Sequence, residues 1–409
     1  MESITPEAVE THTFAANVAM PSTVQFNVTP ELATFVAPIA EPAKTLIPFA
    51  AYDIGSGGTK FMGALVNVTD MTIEEIFTKG QFSVPYREDL YKSENNEFSD
   101  LIQDLGLNAL QTAKLQIEQD YSNSTFQGYG EIQHFAVATA AFREAKNGEF
   151  VASYFEDKLD IPISIISQEE EGKLAYYSVF SQMDQTELGE APVVWDIGGG
   201  RMQLTFKDQA DYFHVMQGQH ASQTFQSLVC DKVLHKEETA SPNPLNTNDV
   251  EAAIDLAKEH LTFDPATSDI IKHQIAHNAP VLAVGSVHNF VIQPLCNLAG
   301  IHPAGSEYTK EDLHQAILLL TDKTDEQIMK ITALSNPDLA KNQLTNLILV
   351  YAMMDIMGID KVHTVKRSNV EGLIIQQATA NKKEIQTPIN LQEIASLKEP
   401  NEPFVHLYI

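Results

Sequence analysis

Positive charge, cysteine and tryptophan are all scarce in this chain. Its 409 residues carry 26 Lys and Arg against 55 Asp and Glu, a formal charge of −29. A field of that sign repels nucleic acid and anionic membranes, so neither is expected as a partner. A polyanionic ligand would need a local basic patch or metal ions. Two cysteines, Cys230 and Cys296, make a disulfide framework unexpected and fit a reducing, cytoplasmic compartment. Neither has a CxxC partner or an activating neighbour, so each is expected as a core thiol. Long apolar runs are also missing. Leu344 to Ile359 is interrupted by Asn346 and Asp355 and reads as a buried helix. The first basic residue is Lys44, so no positive n-region of a secretory signal is expected.

What the chain does have is one pattern used twice: Ala51-Tyr-Asp-Ile-Gly-Ser-Gly-Gly-Thr-Lys60 and Val194-Trp-Asp-Ile-Gly-Gly-Gly-Arg201. In each copy an apolar strand ends near an Asp, glycines turn the backbone, and a second apolar run follows, Phe61 to Val66 or Met202 to Phe206. Glycines let backbone N–H groups approach an anion, and a nearby carboxylate can hold hydrated Mg²⁺ on it. Two such hairpins facing each other would clamp a phosphate chain. A P-loop or a Rossmann fingerprint would run into a helix, whereas Phe61 to Val68 reads as a strand.

Along the chain, residues 1–46 lack a clear period and are expected as an extension, partly disordered. From residue 47 strands and helices alternate. Phe98, Leu101, Ile102 and Leu105 predict an amphipathic helix, Phe135 to Ala138 a short buried strand, and Ile161 to Ile166 another strand. Ser167 and Glu170 have capping-box spacing for the helix that follows. The polar stretch Ser181 to Glu190 predicts a boundary between domains 47–185 and 186–365. A helix near 366–380 is expected to return to the first domain, with 381–409 a tail and hinges near residues 185 and 367. Leu313, Ile317 and Leu320 form a helix core stripe. His273 and His277 have a zinc-like spacing without further ligands and read as a surface pair.

Four segments in order carry a family resemblance: Asp53-Ile-Gly-Ser56, Ala138 to Asn147 with Arg143, Ile165 to Gly172 with Glu171, and Val194 to Gly200 with Asp196. Together they resemble the exopolyphosphatase/guanosine pentaphosphate phosphohydrolase (Ppx/GppA) family over about residues 48 to 378. The resemblance implies an α/β fold: two actin-like ATPase (ribonuclease H-like) domains, with mixed sheets flanked by helices around an inter-domain cleft. It implies Mg²⁺-dependent removal of a terminal phosphate from polyphosphate or a guanosine polyphosphate, with a homodimer as the expected assembly. Glu171 is then the candidate general base for water, and Arg143 a bidentate phosphate ligand whose alternative is an ion pair with an acidic neighbour. Ser56, Gly57, Gly58 and Lys60 would line the first turn and Gly198, Gly199 and Gly200 the second. Asp53 and Asp196 would orient Mg²⁺, directly or through water, or else cap their own turns. Glu169 and Glu170 read as an acidic first helical turn.

Departures from the family pattern matter too. Where the family has Gly-Ser-Thr-Glu, this chain has Gly200-Arg201-Met202-Gln203. Gln203, in the metal set, offers an amide oxygen instead of a charge, and Arg201 either supplies charge to phosphate or blocks the pocket. Gly57 and Gly58 replace Asn and Ser, Val370 replaces an arginine, and Leu339-Ala-Lys341 stands for Arg-Ala-Asp. Basic ligands for a long polymer are thus depleted, and a nucleotide or short phosphate chain is the expected substrate. Ala283 to Asn289 matches the third glycine turn, where a nucleoside would lie in the wider superfamily. Three readings stay open: a phosphohydrolase, a non-hydrolytic sensor derived from one, and, ranked last, a sugar-kinase-like enzyme.

Overall fold

The computed structural model describes residues 44–180, 191–300, 305–334 and 339–386. The expected extension before residue 44, the stretch 181–190 with its hinge, and the tail beyond 386 lie outside the described residues. The order of elements gives two mixed sheets built on one plan. In the first, β1 (Leu46–Gly55), β2 (Gly58–Asn67) and β3 (Thr72–Ser83) are antiparallel neighbours, and β4 (Gln133–Ala138) and β5 (Ile163–Ile165) add in parallel beyond β1. In the second, β6 (Val193–Ile197), β7 (Met202–Lys207) and β8 (Phe213–Gly218) repeat the antiparallel meander. Beyond β6 lie β9 (Val281–Val284) and β11 (Lys361–Thr364) in parallel, with β10 (Glu307–Thr309) antiparallel at the edge. Numbered in chain order within each sheet, the strands run 3-2-1-4-5 in the first and 3-2-1-4-6-5 in the second, where β11 takes the place beside β9 and β10 adds an outer edge.

Period-two alternation sends each central strand's side chains into opposite cores. Ala50, Tyr52 and Ile54 of β1 pack with the helices Asp100–Asn123 and Gly148–Leu159, while Phe49 and Ala51 meet Val370, Leu373, Ile374 and Ala378. In β6, Val193, Trp195 and Ile197 join a core with the helix Gln343–Met357, and Val194 faces Ala175, Tyr176 and Val179. That helix is buried almost throughout, as expected for Leu344 to Ile359. Among the described residues no helix is long and apolar enough to cross a membrane.

One expectation about facing is overturned. The helix Asp100–Asn123 buries Ile102, Gly106, Ala109, Leu110 and Ala113, whereas Leu101 is 70% and Leu105 45% exposed. Small residues let this helix approach Tyr86 and Phe155, and a Cβ at Gly106 would meet both rings. The strand expected over Ile161 to Ile166 is shorter, Ile163–Ile165.

Two helices lie between the sheets. Gln168–Phe180 puts Leu174 in the core under β1 and Ala175, Tyr176 and Val179 under β6. Asn369–Gln386 packs on the first sheet and against that helix. Gln168–Phe180 starts with a reciprocal cap between Ser167 and Glu170, and at the start of Asn369–Gln386 the Glu371 carboxylate accepts from the Ser368 amide and hydroxyl. A Cβ at Gly372 would run into the Leu174 carbonyl. Gly372→Ala is therefore expected to destabilise the fold by about 3 kcal/mol, despite the roughly 1 kcal/mol by which Ala favours a helix. Denaturant unfolding checks the sign, and a stabilised variant would contradict this packing.

Candidate active site

The two glycine turns are the same hairpin made twice. Asp53 pairs in register with Lys60, and Asp196 with Gln203, so Lys60 and Gln203 hold equivalent places on the two returning strands. Carbonyls of Ser56 and Gly57 accept from the Arg87 and Val84 amides (2.9 and 3.3 Å). Carbonyls of Gly198 and Gly199 accept from the first turn of the helix Ser222–Lys232, through Ser222 and Gln223 (3.2 and 2.8 Å). Because carbonyl and following N–H oppose each other in a trans peptide, the amides of Gly57, Gly58, Gly199 and Gly200 point the other way. The turns face each other: a Cβ at Gly199 would lie 3.3 Å from the Ser56 Cβ and 2.9 Å from the Gln223 Oε1. Gly58 is glycine for another reason, since its Cβ would strike the Phe82 carbonyl of β3.

Beneath the turns lies a buried acidic cluster. Asp53, Asp196, Glu171 and Gln203 are all nearly inaccessible. Burial raises the Asp53 carboxyl, partly offset by Lys60. Burial also pushes Asp196 up to about 6, with Lys60 opposing and Asp53 adding to the rise. Glu171, in the first turn of Gln168–Phe180, is pushed up to about 8, first by burial, with Arg143 opposing and Asp196 and Asp53 reinforcing. Helix and second sheet are tied here, because the Gln168 amide donates to the Met202 and Gly218 carbonyls (3.0 Å each).

The residues expected to hold Mg²⁺ fit a hydrated ion better than a bare one. Asp53 Oδ1, Gln203 Oε1, Thr59 Oγ1 and Thr205 Oγ1 are buried without a hydrogen-bond partner. Oxygen-only donors of this kind suit a hard cation that keeps several of its waters. Among the described residues no three His, Cys, Asp or Glu side chains converge as a direct metal-binding group.

Both arginines singled out in the sequence have intramolecular carboxylate partners. Arg143, expected as a phosphate ligand, donates to Glu171 Oε2 (3.2 and 3.1 Å) and the Ile166 carbonyl (2.7 Å). Its alternative, an ion pair with an acidic neighbour, is what this structure contains. Arg201 reaches the Gln219 carbonyl (2.7 Å) and Glu144 Oε1 (3.0 Å). Arg87, which sequence reasoning did not single out, is buried and also bonds Glu144. Burial pushes the Glu144 carboxyl up, but the Arg87 bond and the charges of Arg87, Arg201 and Arg143 together hold it below its ordinary value. Sequence gave no signal for Arg87, because its partners lie far away along the chain.

Lys60 also lines a cavity of about 250 Å³ with Lys79, Lys366, Arg367, Gly285 and Phe290. Gly285, at φ +86°, ends β9 against Asp196, whose Oδ1 would lie 2.6 Å from a Cβ there. The third glycine turn therefore joins the cavity to the acidic cluster. Phe290 is 72% exposed, in the π-helical segment His288–Ile292. Val370, where the family has an arginine, is a core residue that also lines this cavity. His273 and His277 stack on the surface, and both cysteines are buried thiols.

Comparisons with known proteins agree with this architecture. No curated protein matches the chain. A Ppx/GppA family member from Aquifex aeolicus superposes with TM-score 0.61 at 16% identity, over 82% of this chain and 99% of its own. An exopolyphosphatase from Cytophaga hutchinsonii gives TM-score 0.61 at 12% identity, over 81% and 98%. Nucleoside triphosphate hydrolases from Neospora caninum give 0.50 at 10% identity, over 83% and 93%. At these identities the likeness establishes the fold. The model of the Ppx/GppA phosphatase family matches residues 120–381, a span holding Arg143, Glu171, Asp196 and the second glycine turn. With nearly two-thirds of its length matched, the chain belongs to the Ppx/GppA phosphatase family.

Proposed function

We propose that this protein is a phosphoanhydride hydrolase that removes the terminal phosphate of a guanosine polyphosphate or a short inorganic polyphosphate. The observation that carries the reading is the placement of Glu171 beside Asp53 and Asp196, under two facing glycine turns. Such hydrolysis needs an activated water, charge neutralisation on the phosphoryl oxygens, and positioning of both. Glu171 would accept the proton of the attacking water. The amides of Gly57, Gly58, Gly199 and Gly200, with Ser56 and Lys60, would hold phosphoryl oxygens, and Gly198 would set the second turn. Arg143 would exchange its contact with Glu171 for the phosphate, which frees the base as substrate arrives. Asp53, Asp196 and Gln203 would hold Mg²⁺, which supplies charge neutralisation on the phosphates. Two buried free thiols and the acidic surface fit a cytoplasmic protein.

The cavity favours a substrate with a nucleoside. Four cationic side chains gather around it in a chain with few, and exposed Phe290 offers a ring face to a base. Phe290→Ala is expected to raise KM for guanosine pentaphosphate about tenfold, since a base–aromatic stack is worth about 1–3 kcal/mol. Tripolyphosphate should be unaffected. Steady-state phosphate release with both substrates checks this, and turnover that rises with polymer length would contradict the preference for small substrates.

One observation favours a second reading, a non-hydrolytic sensor of the same ligands. Gln203 is buried with neither amide atom hydrogen-bonded, where the family pattern has a carboxylate. Tight binding of the nucleotide with no phosphate release would identify that case.

A further inference from the structure

We propose that Arg87 and Arg201 form an oxyanion site of their own beside the two glycine turns, and that the Glu144 carboxylate occupies it as an internal stand-in for a phosphate group. The two guanidinium groups come from opposite sides of the cleft. Arg87 opens the helix that follows β3, and Arg201 sits in the turn between β6 and β7. They converge on one carboxylate: Arg87 binds both Glu144 oxygens, and Arg201 Nη2 lies 3.0 Å from Oε1. A carboxylate edge is the closest protein mimic of a phosphate edge, and arginine's planar fork suits both.

Three further features point to a ligand. Arg87 is 4% exposed, yet its Nε has no hydrogen-bond partner. Glu144 takes the end-on fork of the two Nη groups, which leaves the Nε edge of the same guanidinium for a further anion oxygen. The guanidinium also lies against the second turn, since a Cβ at Gly200 would be 2.8 Å from Arg87 Nη2. Its backbone amide meanwhile binds the Ser56 carbonyl of the first turn at 2.9 Å. The site is therefore anchored to both turns. Finally, Glu144 can leave. It ends the short helix Ala140–Glu144, and its side chain is 32% exposed, so rotation carries the carboxylate to solvent without moving buried backbone.

Glu144 then acts as a competitor. It keeps two arginines together while no ligand is present, and it sets a threshold that a weakly held anion must exceed. A substrate already gripped by the glycine turns gains these two arginines as it displaces Glu144. The inference rests on the reading of the cleft as a phosphate-binding site but not on its catalysing hydrolysis.

The test is isothermal titration of inorganic phosphate and tripolyphosphate into the full chain carrying Glu171→Gln, so that turnover cannot complicate binding. Adding Glu144→Gln is expected to tighten inorganic phosphate about tenfold, the scale of one lost charge-assisted competitor. Adding Arg201→Ala to that variant should remove the gain. Equal affinities with and without Glu144→Gln would overturn the proposal. Should Glu144→Gln fail to fold, Arg201→Ala alone decides: at least about fivefold weaker tripolyphosphate binding supports the site, and unchanged affinity overturns it. Phosphate binding that follows these expectations while the unsubstituted chain releases no phosphate would sink the hydrolase reading and leave this one standing.

Discussion

Glu171→Gln is expected to lower Mg²⁺-dependent phosphate release by about 10²- to 10⁴-fold, the usual range for a positioned general base. Glutamine keeps the shape of glutamate and can still accept from Arg143, so KM should move little while kcat collapses. The fold should not suffer. Glu171 is a buried carboxyl held largely by one ion pair and crowded by Asp53 and Asp196. A neutral amide in that place removes repulsion, and Tm at pH 8 is expected to be unchanged or higher. Loss of activity with a lowered Tm would mean that the side chain holds the structure together. Full activity in the variant would remove Glu171 from the reaction.

Magnesium is expected to stabilise the protein more at pH 8 than at pH 5. The folded-state pKa of Glu171 is raised from 4.5 to about 8, and that of Asp196 from 3.8 to about 6. The folded chain therefore retains protons that the unfolded chain has already lost, and stability falls as pH rises between about 4.5 and 8. For Glu171 alone the full shift corresponds to about 5 kcal/mol. A divalent cation near Asp53 and Asp196 favours the charged carboxylates and offsets that loss. Thermal unfolding with and without Mg²⁺ at the two pH values reads the effect, and Asp53→Asn should remove it. An increment independent of pH, or absent, would contradict metal binding at this cluster.

Much of the fold was legible because it is written locally. Both hairpins follow from an Asp, a glycine turn and flanking apolar runs, while the two domains with mixed sheets came from the family resemblance. The helix starting at Gln168 announced itself through Ser167 and Glu170, whose reciprocal bonds the structure contains. What stayed hidden depends on tertiary packing. Leu101 and Leu105 look like a core stripe, but the buried face is set by Gly106, Ala109 and Ala113, small residues whose importance appears only once a neighbour presses on them. The cavity was out of reach for the same reason. Its lining comes from β2, β3, the turn after β9 and the segment before Asn369, and no single stretch contains enough of it to notice. Arg87 shows the limit most clearly, being a lone arginine in sequence and the partner of Glu144 and neighbour of Gly200 in space.

Charge explains why Gln203 is tolerable at a site that the family pattern fills with a carboxylate. Asp53, Asp196 and Glu171 already share one buried region, and the cations acting on it are Lys60 and Arg143. A fourth carboxylate would raise the cluster's pKa values further unless metal were bound. Glutamine lowers that repulsion in the free protein at the cost of a weaker hold on a hard cation.

Whether the cleft hydrolyses phosphoanhydrides is tested most directly by phosphate release from guanosine pentaphosphate with Mg²⁺, measured for the unsubstituted chain beside Gln203→Glu. The account predicts release by the unsubstituted chain, with a faster rate or a lower Mg²⁺ requirement in Gln203→Glu. An unsubstituted chain silent on guanosine pentaphosphate, tripolyphosphate and long polyphosphate alike, while Gln203→Glu is active, would contradict it and make the protein a binder with an intact cleft.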